Sequence, residues 1–112
     1  PAGAEGQVEG GLHQGIGYAL MEDMVIDPQS GRTLNPNFVD YKLLTAQDMP
    51  ETMVAFIETG DHVGPFGAKG LAEDAVCPTA PAVVNAIYNA TGVRIRELPA
   101  SAEKILAALK AK

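Results

Sequence analysis

Gly6-Gln7-Val8-Glu9-Gly10-Gly11-Leu12-His13-Gln14-Gly15-Ile16-Gly17 is the segment around which the rest of the chain must arrange itself. Val8, Leu12 and Ile16, with Leu20 beyond them, recur every fourth residue and line one face of a helix predicted over Val8 to Met21. Gly11 and Gly15 are also four apart, so a second face is nearly bare. An interior glycine costs roughly 1 kcal/mol against alanine. Repeating that cost asks for a compensating contact. Tight packing against another helix and close approach of a ligand both fit. A dinucleotide-binding fingerprint does not, because no strand precedes the run and no acid follows it in a βαβ unit.

Outward from this helix the pattern is mixed. Pro1 to Gly6 reads as a small, flexible lead-in. Met24 to Asp27 is a short strand candidate, followed by a turn at Asp27-Pro28-Gln29-Ser30-Gly31. Phe38 to Leu44 alternates and is predicted extended. Thr52 to Thr59, rich in apolar and β-branched residues, is the best strand. Gly60 to Val76 is a long connection, a kind of segment that often carries function. Thr79 is expected to cap a helix that tolerates Pro81 in its first turn and ends at Gly92. Val93 to Leu98 reads as a half-exposed strand. Ser101 opens a last helix with Ile105, Leu106 and Leu109 on its apolar face. The expected class is α+β.

Composition narrows the function classes. Among 112 residues, 46% are hydrophobic, which is enough to expect an ordered domain. The net charge of −6 argues against a nucleic-acid footprint. A lone cysteine, Cys77, is expected to be a small buried residue, and it excludes an internal disulfide or iron–sulfur site. No apolar run reaches membrane-spanning length. The chain opens on Pro1 without an initiator Met, and is expected to be a fragment or a processed piece of a longer polypeptide. With no secretory signal in view, a cytoplasmic location is expected.

The second informative segment is Gly67-Ala68-Lys69-Gly70-Leu71-Ala72-Glu73-Asp74. It is expected to be a glycine-containing loop holding one carboxylate, Glu73, against the proline-punctuated apolar stretch that follows. Such a carboxylate is suited to general-base work, although a solvated loop glutamate is the commoner fate. An amide such as Gln7 both donates and accepts, and equally well satisfies helix-start backbone groups. His13 and His62 are too far apart in sequence to be read as a metal pair.

Taken together, these two segments resemble the molybdenum hydroxylases, the xanthine dehydrogenase and aldehyde oxidase family. The resemblance extends to Asn37-Phe38-Val39-Asp40-Tyr41-Lys42, Asp48-Met49-Pro50, Pro81-Ala82-Val83-Val84-Asn85-Ala86-Ile87 and Thr91-Gly92-Val93-Arg94. It implies that residues 1–112 are a C-terminal fragment of the molybdopterin-binding domain of the large subunit, with no complete second domain. It further implies that Glu73 is the general base at the molybdenum centre, where water-derived oxygen is placed on an aldehyde or a purine-like N-heterocycle. Gln7, Gly6, Lys69 and Gly70 are then cofactor-binding residues, and no side chain is a metal ligand. The cofactor would be molybdopterin with molybdenum, in the plain or the cytosine dinucleotide form. The 2Fe-2S clusters and FAD of the family would lie on other segments or subunits, which become partners together with the rest of the large subunit and a small-molecule substrate. Ala72 and Asp74 depart from the family pattern, which usually has glycine before this glutamate and often proline after it. That departure motivates the alternative, a non-catalytic structural or assembly module.

Overall fold

A computed structural model describes all residues from Pro1 to Lys112. It contains three α-helices: α1 (Ala2–Leu20), α2 (Ala72–Thr91) and α3 (Ala102–Lys110), with a short 3-10 turn at Pro65–Gly67. Helix α1 begins well before the predicted Val8. Pro1 supplies the carbonyl that accepts from the Ala4 and Glu5 N–H groups, both at 2.9 Å. Ala2 and Ala4 are strong helix formers, and Glu5 places a negative charge in the first turn. The lead-in expected to be flexible is therefore helical, and Gly6 and Gln7 sit within the helix.

Helix α2 likewise starts earlier than predicted, at Ala72 rather than after Thr79. Pro78 and Pro81 lie inside it. A proline gives no N–H to the carbonyl four residues back and normally ends a helix. Here tertiary contact outweighs that cost. Thr79 is one of the most buried residues, and its hydroxyl donates to the Ala75 carbonyl at 2.6 Å instead of capping the helix. Gly92 ends α2 as expected, with φ 70° and its N–H on the Tyr88 carbonyl at 2.7 Å.

Helices α1 and α2 pack directly on each other. A Cβ on Gly11 would lie 2.8 Å from both the Ala72 carbonyl oxygen and the Ala75 Cβ, and one on Gly15 would lie 2.5 Å from the Thr79 Cβ. The bare face of α1 is thus filled by a second helix. Ala19, Ala80, Val93, Ile95 and Ala100 make up most of the small core. The Ala100 N–H donates to the Ala19 carbonyl at 2.7 Å, which ties the segment between α2 and α3 back to α1.

The α+β expectation needs correction. The only β-type pairing is one isolated antiparallel bridge between Ile26 and Thr33. Phe38 to Leu44, Thr52 to Thr59 and Val93 to Leu98 are not strands. Their residues suit a pleated surface, but a strand also needs a neighbour to complete its hydrogen bonds, and nothing in the chain lies beside them in register. The 22–45 region is held by a few turn hydrogen bonds between backbone groups and by side chains. Asn35 donates to the Asp23 carbonyl at 2.7 Å and accepts from the Val25 N–H at 2.9 Å. The Tyr41 hydroxyl donates to Glu22 at 2.7 Å, and this hydrogen bond, aided by partial burial and the nearby charge, raises the tyrosine above its ordinary range.

The result is an open shape. Its radius of gyration is 17.4 Å, against roughly 13 Å for a compact domain of this length. It exposes 8395 Å², about 2,500 Å² more than a folded monomer of its mass ordinarily shows. None of its helices is long and apolar enough to cross a membrane.

Candidate functional site at the helix-pair cleft

The close approach of α1 and α2 creates a cleft of about 570 Å³ along their junction. Gln7 lines it from the second turn of α1, and Glu73 from the first turn of α2. Gln14 lies two turns along from Gln7 and lines the same wall, with Val76 and Cys77 opposite. Two amides and one carboxylate therefore share a cleft whose lining includes no lysine or arginine.

Glu73 stands on a helix start rather than on a loop, and it is exposed rather than pressed against apolar residues. Glu73 and Asp74 both occupy the first turn of α2, where the partial positive charge of the helix favours carboxylates. Leu71 occupies the N-cap and offers no side-chain hydrogen bond. The first backbone N–H groups of α2 thus remain available as donors beside Glu73.

The other sequence-predicted residues distribute around this cleft. Gly70 adjoins Glu73, since a Cβ there would lie 3.5 Å from Glu73 Oε2. Gly6 faces a different cleft, of about 500 Å³, between α1 and residues 46–52. The His13 ring N–H borders that second cleft and donates to the Leu44 carbonyl at 3.0 Å, which pins the 44–52 segment to α1. Lys69 is turned away from Gln7 and Glu73. Its ammonium meets Asp61 at 3.0 Å and donates to the Thr59 hydroxyl at 2.8 Å. Asp61 is held below the ordinary aspartate range first by the Val63 N–H, then by Lys69.

Two residues of the cleft went unassigned in the sequence reading. Gln14 shares a face with Gln7 because they are seven residues apart, a signal hidden while the helix was placed from Val8 onward. Cys77 is exposed on the cleft wall, contrary to the expectation of a buried thiol. It lies one helical turn beyond Glu73. No group of histidine, cysteine or carboxylate side chains is disposed to hold a metal ion.

Residues 1–50 match the family described as the Molybdopterin cofactor-binding domain. The chain is 45% identical over 105 residues to the xanthine dehydrogenase molybdenum-binding subunit of Escherichia coli O157:H7, a match covering 94% of this chain and 14% of that one. It is 36% identical over 107 residues to the aldehyde oxidoreductase molybdenum-binding subunit PaoC of Escherichia coli strain K12, covering 95% and 15% respectively. The chain belongs to the molybdenum hydroxylase family. The backbone of this molybdenum hydroxylase segment is also similar to quinoline 2-oxidoreductase from Pseudomonas putida 86. The TM-score is 0.85 at 31% identity, over 96% of this chain and 14% of that chain. The segment thus spans about one-seventh of the relatives that it matches.

Proposed function

We propose that this chain supplies one wall of the molybdopterin site of a molybdenum hydroxylase, with Glu73 as the general base and Gln7 as an amide contact to the cofactor. The observation that carries the reading is that Gln7 and Glu73, far apart in sequence, line one cleft. The donor set fits the cofactor. Gln7 and Gln14 each donate and accept, and the uncapped start of α2 adds backbone donors, a combination suited to the hydrogen-bonding edge of a pterin.

When bound, the molybdenum cofactor supplies the two-electron redox centre for R–H + H₂O → R–OH + 2 H⁺ + 2 e⁻. In this reading the Glu73 carboxylate accepts a proton of the water-derived hydroxyl. Gln7 and Gln14 orient the cofactor edge, and Gly70 adjoins the Glu73 carboxylate. The substrate class is an aldehyde or a purine-like N-heterocycle. The pterin is plain or carries a cytosine dinucleotide. The 2Fe-2S clusters and FAD that would take the two electrons would lie on other segments or subunits. The chain itself is the C-terminal portion of the molybdopterin-binding domain in this reading.

The test is Glu73→Gln in the assembled complex, with molybdenum content measured alongside turnover. Loss of turnover by ~10²–10⁴-fold with molybdenum retained is the expected result, in line with removal of a general base. Undiminished turnover would remove Glu73 from the mechanism. It would favour the second reading, a non-catalytic wall, to which the exposure of Glu73 and its neighbours Ala72 and Asp74 point.

A further inference from the structure

Thr52 to Thr59 forms no backbone–backbone hydrogen bond at all. At its start the side chains alternate as a strand's do, and from Ala55 to Thr59 all are exposed. Thr52 and Val54 are half-buried, whereas Met53 is 94% exposed and Ile57 89% exposed. The first residues of this segment therefore lean on the chain by one face, while the rest is exposed and its backbone amides and carbonyls are unpaired. Nearby, Phe66 is fully exposed at φ 55°, a left-handed conformation that side chains other than glycine's seldom adopt. Ile57 and Phe66 flank a single cleft.

We infer that Thr52–Thr59 is an edge strand awaiting its neighbour, and that the neighbour is a β-strand from the rest of the molybdenum-binding polypeptide. This rests on the reading that the chain works inside that larger subunit. Three observations select the occupant. The segment has the β-branched and apolar composition of a strand interior, so its unpaired amides and carbonyls form a template for strand addition. The same backbone path recurs in a solved relative of which it makes up only 14%, so ample chain exists there to lie beside it. The surplus exposed area of about 2,500 Å² is of the size that obligate interfaces bury. A second copy paired along this one edge would leave the exposed Leu34, Phe38 and Val39 and the apolar face of α3 uncovered.

The experiment expresses the 112-residue chain together with the remainder of the molybdenum-binding subunit as a separate polypeptide, and follows amide hydrogen exchange of Met53 to Glu58. In the chain alone these amides should exchange as fast as unstructured ones. In the reconstituted complex they should slow by ~100-fold or more, as paired amides do. Ala55→Pro, at an exposed position, should leave the helical circular dichroism of the isolated chain unchanged yet reduce retention of the partner polypeptide at least tenfold. A stable complex in which residues 53–58 still exchange fast would overturn the strand inference and leave the functional proposal standing. Failure of the wild-type chain to retain the partner polypeptide would overturn the strand inference, whereas the functional proposal stands or falls on Glu73→Gln in the intact complex. Concentration-dependent protection of 53–58 in the chain alone would also overturn the strand inference, in favour of self-pairing.

Discussion

At the scale of single residues, the gap between α1 and α2 is set by atoms that are missing. Gly11 has no room for a methyl group, because the Ala72 carbonyl and the Ala75 Cβ would each stand 2.8 Å away. Neither neighbour is the end of a flexible side chain. Gly11→Ala must therefore push the start of α2 outward and carry Glu73 away from Gln7. The expected cost is ~1–3 kcal/mol, as for other overpacked sites, read as a lower urea midpoint. In the assembled complex, molybdenum content should fall with it. Gly3→Ala offers the contrast, since nothing lies within 4 Å of its would-be Cβ. It should leave the midpoint unchanged or raise it.

At the scale of elements, α3 is the clearest case of local chemistry making structure. The Ser101 hydroxyl accepts from the Lys104 N–H at 3.3 Å, and Lys110 sits in the last turn. Glu103 is held below the ordinary glutamate range first by its own backbone N–H, then by the Ser101 hydroxyl. A depressed carboxylate contributes stability that is present above its unfolded pKa and is lost as pH falls through the lower folded value. Backbone NMR shifts of residues 102–110 should therefore report loss of helix on acidification below the ordinary glutamate range. Glu103→Gln should flatten that dependence. Ser101→Ala should cost about 1 kcal/mol of helix stability at neutral pH, the usual value of an N-cap. Helix α2 follows the opposite logic. Its interior prolines oppose it locally, and its contact with the glycine face of α1 sustains it.

At the scale of the whole molecule, the chain carries helices and a lined cleft without a large core. Only 12 of its 112 residues are buried, too few to expect strong cooperativity from burial alone. One cysteine cannot supply the four ligands of an iron–sulfur cluster, so the clusters of the proposed reaction would be held elsewhere. The isolated chain should accordingly give no reduction of a dye acceptor with an aldehyde or a purine. Turnover by the chain alone, free of other subunits, would contradict the proposed division of labour.

The local sequence determined those features whose causes lie within a few residues. The apolar spacing of Val8, Leu12 and Ile16 announces α1, Gly92 ends α2 in the left-handed conformation, and Ser101 caps α3. The motifs around Gln7 and Glu73 announced the family, because residue order and spacing survive without any fold. Tertiary structure alone decided the rest. Pro78 and Pro81 become helical because α1 packs against α2, so Glu73 begins a helix rather than closing a loop. Lys69 leaves the site because Asp61 and Thr59 capture it. Thr52 to Thr59 has a strand's composition without a strand's hydrogen bonds, because pairing is a property of two segments and the second must come from elsewhere.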